Sequence, residues 1–149
     1  MGTKYKGSPK EVSALNIFIK LSRCVESVMS ELSPTLSKAG LTVSQFGIME
    51  SIYHLGPMCQ KELASKILKS GGNITLVVDN LAKQGYVKRI RSEQDRRYST
   101  VHLTAAGRRK ISALFPKIVE KIVERMGTLT QKEQKAIGPI LKKLGEGHK

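Results

Sequence analysis

Two short runs rich in β-branched and aromatic residues interrupt an otherwise helical pattern in the second half of the chain. Residues 86–91 (YVKRIR) and 98–103 (YSTVHL) have the composition of β-strands, and the charged stretch 92–97 between them is longer than a tight turn needs. This pattern predicts a projecting β-hairpin, or wing. Elsewhere apolar residues recur at helical spacing, so the chain is expected to be mainly α-helical with one small β element.

Capping signals mark where the helices begin. Three segments place a hydroxyl residue three positions before Glu or Gln, the pattern of a capping box: Ser8-Pro9-Lys10-Glu11, Thr42-Val43-Ser44-Gln45 and Thr130-Gln131-Lys132-Glu133. The first predicts a long helix that ends near Pro34 or at Ala39-Gly40. Thr104 is expected to cap another long helix after the wing. Proline should kink that helix and the final one, at Pro116 and Pro139.

Two short helices are expected between Gly56 and Gly85, at about 60–68 and 72–84, with a break at Ser70-Gly71-Gly72. The second helix should turn three apolar residues inwards, namely Leu76, Val77 and Leu81. Two short helices that are joined by a tight turn and followed by a wing indicate a winged helix-turn-helix.

Basic residues are unevenly distributed along the chain. The 149 residues have a formal net charge of +14 and a hydrophobic content of 40%, which fits one folded domain over 1–149. Residues 83–110 contain nine Lys and Arg against two acidic residues, whereas residues 41–82 are neutral overall. The imbalance favours a polyanionic partner such as nucleic acid, with the positive field centred on the wing.

Other functional classes find little support in the sequence. No apolar run approaches the ~20 residues needed to span a bilayer, and two cysteines give no disulfide framework, so the cytoplasm is the expected compartment. The scattered His54, His102 and His148 lack the spacing of metal ligands. We therefore expect no metal, no cofactor and no enzymatic activity.

The helices at the two ends of the chain carry more apolar surface than a domain of this size can easily cover alone. They are the first helix, within 8–40, and the last two, within 108–149. We therefore expect them to pack against a second copy and to form a homodimer. Burial in a coiled coil or in a bundle within one chain is the alternative.

Six short motifs follow one another between residues 62 and 107: Glu62-Leu63-Ala64, Asn73-Ile74-Thr75, Val78-Asp79-Asn80-Leu81, Gly85-Tyr86-Val87-Lys88-Arg89, Asp95-Arg96-Arg97 and Leu103-Thr104-Ala105-Ala106-Gly107. In order and spacing they resemble the MarR family of transcriptional regulators. The resemblance implies that 8–40 and 108–149 form dimerisation helices and that 41–107 forms a DNA-binding winged helix-turn-helix. Residues 55–60 (LGPMCQ) are also similar to a branch of the family that responds to quinones and other electrophiles.

The helix at 72–84 is the expected recognition helix, with Asn73 and Thr75 near its N-terminus. Asn can make a bidentate contact with adenine, and Thr can donate a hydrogen bond or touch a thymine methyl. Alternatively, both residues only cap the helix. Gly71 and Gly72 let the backbone approach phosphates, which the helix N-terminus also attracts, and Ser70 beside them is a further expected DNA contact.

The wing is expected to supply further contacts. In families like this one an arginine such as Arg97 enters the minor groove, and Asp95, two positions earlier on the same side of an extended strand, orients it. A solvated charge run is the alternative. The other expected contacts are to phosphates, which set affinity and salt dependence, from Lys88, Arg89, Arg91 and Arg96.

Family members commonly release DNA when a small aromatic or phenolic ligand binds or when a cysteine is oxidised. Six residues could line such a ligand pocket, although Met and aromatic residues at helical spacing also suit a core: Ile19, Arg23, Phe46, Met49, Tyr53 and Met58. The redox candidates are Cys59, at a helix N-terminus whose dipole favours a thiolate, and Cys24. Two inert buried thiols are the alternative.

Together these features predict a dimeric, sequence-specific regulator that binds a pseudo-palindromic operator in double-stranded DNA. Repression is the family's commoner mode, and a small-molecule inducer is the expected signal. A winged-helix module that binds a protein partner and a nonspecific architectural DNA binder are the alternatives.

Overall fold

A computed structural model describes residues 2–67 and 71–147 of the chain. Within these residues, six α-helices and a two-stranded antiparallel sheet occur in the order α1 (Pro9–Lys38), α2 (Val43–Leu55), α3 (Gln60–Ile67), α4 (Gly71–Lys83), β1 (Val87–Arg91), β2 (Ser99–Leu103), α5 (Ala105–Met126) and α6 (Gln131–Glu146). The expected architecture, mainly helical with a small β wing, is confirmed.

The three expected capping boxes open α1, α2 and α6. In each box the cap hydroxyl accepts a hydrogen bond from the backbone three residues on, and the Glu or Gln there accepts one from the cap N–H. Helix α1 continues through Pro34, so the later of its two expected ends is the correct one. Gly40 has a φ of +74°, and Leu41 donates its N–H to the Leu36 carbonyl at 3.0 Å, which closes the helix in a Schellman arrangement.

The hydrophobic core lies between the C-terminal half of α1, helices α2 to α4, the wing and the first half of α5. Every one of these helices and the strand β2 contribute side chains that are almost entirely buried, including Leu36, Ile48, Met49, Leu63, Val78, Leu81, Val101 and Ile111. The core therefore fixes α3 and α4 against α2, which also packs on α5, and leaves their outer faces in solvent.

Helix α4 presents a different face to this core from the one expected. Ile74, Val78 and Leu81 are buried at a spacing of four and three residues, which is one stripe of a helix. Val77 is half-buried beside that stripe. The inward placement of Leu76 was wrong, because at 100° per residue it lies on the far side of the helix, where it is 61% exposed.

The wing is bonded to the helix-turn-helix as well as to itself. Its strands pair in antiparallel register from Val87 with Leu103 to Arg91 with Ser99, within one residue of the expected runs. Met58, which precedes α3, forms a single bridge to β2, because Val101 donates its N–H to the Met58 carbonyl at 2.9 Å. The base of the wing consequently has little freedom to rotate against α3.

A close approach at the start of α5 holds the end of α4 in place. Thr104 accepts the N–H of Gly107 at 3.0 Å, and its hydroxyl donates to the Gly85 carbonyl at 2.6 Å. The backbone N–H of Thr104 donates to the Tyr86 carbonyl at 3.0 Å. A Cβ atom at Gly107 would lie 2.0 Å from that same carbonyl oxygen, so glycine alone fits here.

The two ends of the chain meet in an open apolar groove of about 580 Å³, which we call the α1–α6 groove. All of α6 is solvent-accessible in the single chain, although it carries a stripe of large apolar residues. The apolar residues of the groove are Ile17, Leu21, Val25, Val28, Met29, Met126, Ile137, Ile140, Leu141 and Leu144. Across the described ranges, we find no helix with the length and hydropathy of a membrane span.

Candidate nucleic-acid interface

The outer face of α4 is polar at its N-terminal end. Asn73 and Thr75 are both exposed within the first turn and a half, on the two flanks of the buried stripe and each about 100° from Ile74. Gly72 belongs to the first turn of the helix. Ser70, the remaining expected backbone contact in this region, lies outside the described residues. Both side chains therefore lie outside the core, at the end of α4 where a recognition helix would carry its base-contacting residues.

Four side chains from three elements are joined in one network, which we call the α3–α4–β1 network. Gln60, the first residue of α3, donates from Nε2 to Thr75 Oγ1 at 3.0 Å and accepts from Arg89 Nε at 2.9 Å. The same guanidinium places Nη2 2.7 Å from Asp79 Oδ1. The network therefore ties the first wing strand to both helices of the helix-turn-helix.

The network changes what can be expected of Arg89. Sequence reasoning grouped it with the phosphate contacts, but in this structure its guanidinium is engaged with Asp79 and Gln60. Asp79 is the only acidic residue in the sequence of α4, so its partner neutralises the one side chain there that would repel phosphates. Gln60 was missed altogether, because its partners lie 15 and 29 residues away and no local pattern signals them.

The wing loop presents Arg97 through a carboxylate. Arg97 donates from Nε and Nη2 to the two oxygens of Asp95, each at 3.2 Å, and its backbone N–H donates to Oδ1 at 3.0 Å. Hydrogen bonds from the side chain and then the backbone of Arg97 lower the pKa of Asp95 below its ordinary value. The Arg97 side chain is nevertheless 88% exposed, which leaves its guanidinium accessible to a ligand.

The reason given for this pairing from the sequence was wrong in one respect. The sequence predicts Asp95 and Arg97 on one side of an extended strand, whereas residues 95–98 form a turn. Tyr98 donates its N–H to the Asp95 carbonyl at 3.0 Å, and Ser92 donates to the Tyr98 carbonyl at 2.9 Å. Because Asp and Asn bond readily to the backbone two residues on, the turn itself brings the carboxylate to Arg97.

The other wing cations are exposed on or beside β1. Lys88 pairs with His102 and Arg91 with Ser99 across the hairpin. Side chains alternate between the faces of a strand, so Arg91 projects to the same side as Arg89, towards α4, and Lys88 to the opposite side. Arg96 is exposed at the tip of the loop. Arg89 and Arg91 thus lie on the side of β1 that faces α4, and Arg96 and Arg97 lie in the wing loop.

The six residues expected to line a ligand pocket are not gathered in one cavity. Phe46 lines a cavity of about 410 Å³ between α1, α2, α5 and the end of α3. Of the described residues around it, none is another member of the expected set. The others are Met49 and Met58, buried in the core; Tyr53, 5.7 Å beneath the Arg108 guanidinium; and Ile19 and Arg23 on α1.

The two cysteines occupy different surroundings. Cys59 is half-buried directly before α3, and its backbone N–H donates to Glu62 Oε2 at 2.9 Å, so it takes the place of a cap residue. Cys24 is exposed on α1 and lines the α1–α6 groove, so the alternative of a buried thiol does not hold for it in the single chain. Within the described residues, no cluster of three or more His, Cys, Asp or Glu side chains could hold a metal ion.

The fold combines a packed three-helix unit with a β-hairpin that is hydrogen-bonded to it, and one of the helices turns a polar surface outwards beside basic side chains. These features define the class of winged helix-turn-helix proteins. The model of the MarR family matches residues 41–98. The HTH-type transcriptional regulator MhqR of Bacillus subtilis (strain 168) is 31% identical over 132 residues, covering 89% of this chain and 91% of that protein. The chain therefore belongs to the MarR family of transcriptional regulators, which confirms the resemblance noted from its motifs.

Solved structures show the same fold over most of the chain. NadR in complex with 4-hydroxyphenylacetate superposes with a TM-score of 0.76 at 22% identity, covering 99% of this chain and all of that one. BpsR of Bordetella bronchiseptica, described with the regulation of its DNA binding by 6-hydroxynicotinic acid, gives 0.79 at 20% identity, covering 87% and 98%. At these identities the likeness establishes the fold.

Proposed function

We propose that this regulator binds double-stranded DNA as a homodimer and selects its operator by sequence. The observation that carries the proposal is the arrangement of α4 beside the wing. The helix turns Asn73 and Thr75 away from the core, and the exposed Arg97 stands on the adjoining loop. Helix α4 would enter the major groove while the wing loop follows the neighbouring backbone and minor groove.

Base choice and affinity are assigned to different parts of this surface. Residues 41–82 are neutral overall, so α4 contributes hydrogen-bonding groups rather than net charge. Asn73 and Thr75 are the proposed base contacts. The wing supplies the field that attracts phosphates, from Lys88, Arg91, Arg96 and Arg97. Arg89 is assigned to holding the wing against α4, because Asp79 and Gln60 already engage it.

The second copy would cover the α1–α6 groove. Ile137, Ile140, Leu141 and Leu144 are 40 to 63% exposed in the single chain and form one stripe. A contiguous apolar face that the single chain leaves exposed to solvent marks an interaction site. A two-fold dimer binds two half-sites about one helical turn apart, so the operator should be a pseudo-palindrome.

Release of DNA is proposed to follow binding of a small aromatic ligand. The cavity beside Phe46 has a mostly apolar lining from α1, α2 and α5, with Glu50 on α2, and reaches Lys66 and Ile67 in the last turn of α3. Two structural relatives are described with hydroxylated aromatic acids, which suits a mostly apolar cavity that holds Phe46 and has Lys66 at its edge. A ligand that prefers one position of α3 would shift the angle between α4 and the dimer helices. Modification of Cys59, next to the start of α3, is the second proposed signal.

Selection from a random duplex pool tests the proposal. The chain should enrich a two-fold symmetric sequence, and hydroxylated aromatic acids, quinones and oxidants can then be added to the purified complex to find the signal. Recovery of duplexes without a common sequence would identify an architectural binder. Failure to retain any duplex at low salt would identify a protein-interaction module.

A further inference from the structure

The centre of the outer face of α4 is occupied by an apolar side chain, Leu76. The side chain is 61% exposed, although leucine is among the residues most often buried in folded proteins. At 100° per residue it lies roughly 140 to 160° from Ile74, Val78 and Leu81, the buried stripe of the same helix. It therefore projects, like Lys83, almost directly away from the core.

The neighbours of Leu76 on the helix surface are polar or small. Gly72, Asn73, Asp79, Asn80 and Lys83 all lie within about 60° of it around the helix axis, and the one acidic residue, Asp79, is paired with Arg89. The residues that line the α1–α6 groove come from α1, α5 and α6, so a second copy seated there would leave Leu76 uncovered. Strand β1, which packs beside the same helix, carries Lys88, Arg89 and Arg91, and this makes a polyanion the partner whose charge complements the surface.

We propose that Leu76 is a specificity-determining residue that contacts the C5-methyl group of a thymine in each half-site. The inference rests on the proposed function, because it requires α4 to enter the major groove. There the thymine methyl is the only apolar group that a base edge presents. Asn73, one turn earlier on the same side, would hydrogen-bond a neighbouring base. Leu76 would contribute by burying its own apolar surface and that of the methyl group, and it would form no hydrogen bond.

Deoxyuridine tests this contact because it differs from thymine only by the missing methyl. Each thymine of the selected duplex is replaced in turn, symmetrically in both half-sites, and the dissociation constant is measured for the unmodified chain and for Leu76→Ala. Burial of one methyl corresponds to about a fourfold change in affinity, hence about fifteenfold for the two half-sites together. With the unmodified chain, we expect deoxyuridine at one thymine position to weaken binding by this factor. With Leu76→Ala, the duplexes with thymine and with deoxyuridine at that position should bind equally well.

A matched control separates this effect from a general loss of exposed leucine. Leu55, at the end of α2, is 62% exposed and lies outside α4, so Leu55→Ala should retain the full response to deoxyuridine. Neither substitution touches the core, so both variants should unfold thermally within a few degrees of the unmodified chain.

Two outcomes would overturn the inference while leaving sequence-specific binding in place. In one, every deoxyuridine effect persists in Leu76→Ala, which would mean that another residue such as Thr75 contacts the methyl. In the other, Leu76→Ala binds as tightly as the unmodified chain. If the unmodified chain fails to distinguish the selected duplex from a scrambled one, the proposed function fails first and the inference with it.

Discussion

Arg89 Nη2 lies 2.7 Å from Asp79 Oδ1, and this contact joins the first wing strand to the helix proposed to read DNA. The two side chains are 32% and 45% exposed, so the pair adds only about 0–1 kcal/mol to stability. Together with Gln60 it fixes the angle between two elements that both face the proposed DNA site. We therefore expect its loss to affect recognition more than folding.

Asp79→Asn should separate these two effects. The free energy of unfolding should fall by no more than about 1 kcal/mol. Affinity for a scrambled duplex should stay the same or rise, since a negative charge beside the phosphates is removed, while affinity for the selected duplex should fall. Fluorescence anisotropy at one salt concentration measures both. Glu93→Gln, which also removes one negative charge but leaves the α3–α4–β1 network intact, is the control. Equal changes for the two duplexes with Asp79→Asn would contradict an orienting role.

Arg97→Ala should weaken binding and reduce its dependence on salt. Loss of one phosphate-neutralising cation lowers the slope of log affinity against log salt by about one for each wing. A salt series by fluorescence anisotropy gives the slope. Lys132→Ala removes the same charge from the start of α6, away from the wing, and should leave the slope unchanged. An unaltered slope with Arg97→Ala would argue against a contact from the wing loop.

The titration of Asp95 should report the wing pair directly. Arg97 lowers the pKa of this carboxyl, so the pair contributes stability above the ordinary carboxyl pKa, and that contribution is lost as pH falls through the lowered value. Carboxyl-carbon NMR should show a titration midpoint below 3.8 in the unmodified chain and a rise towards 3.8 in Arg97→Ala. The same midpoint in both chains would show that the pair does not form in solution.

Gly107→Ala should destabilise the protein by about 1–3 kcal/mol or more, because its Cβ atom would lie 2.0 Å from the backbone oxygen of Tyr86. Gly138→Ala is the matched substitution: no atom lies within 4 Å of its added Cβ atom, and alanine should stabilise the interior of α6 by roughly 0.5–1 kcal/mol. Urea denaturation compares the two. A neutral Gly107→Ala would mean that α5 can move away from the end of α4.

Ile140→Glu should convert the proposed dimer to a monomer and abolish tight operator binding. Ile140 is 63% exposed in the single chain, so the charge would not disturb the fold but would be buried without a partner in the dimer. Sedimentation equilibrium gives the mass. Lys142→Gln lowers the charge of α6 by the same unit without entering the α1–α6 groove and should remain dimeric. A monomeric unmodified chain would refute the dimer itself.

Much of the fold could be predicted because its signals are local. A capping box needs only two residues three positions apart, and Ser8 with Glu11 sets the start of α1 accordingly. The hairpin was located within one residue because β-branched runs and a charged loop are contiguous in sequence. The two candidate inward stripes of α4 share Leu81, and only the packing of Ile74 and Val78 against the core decides between them.

The candidate site was less predictable, because its geometry depends on contacts between distant residues. The charges of Asp79 and Arg89 were visible in the sequence, but their pairing joins a helix to a strand. A methionine side chain suits a ligand pocket as well as a hydrophobic core, but Met49 and Met58 are both buried in the core. Spacing alone cannot distinguish these uses, since buried and ligand-lining faces have the same helical period.

The ratio of affinities for selected and scrambled duplexes tests the central claim most directly. Both duplexes should have the same length and base composition and be measured at the same salt concentration, with the stoichiometry determined on the selected one. We predict at least about 10³-fold tighter binding of the selected duplex by two chains. Equal affinity for the two duplexes, or binding by a single chain, would contradict a dimeric regulator that reads DNA sequence.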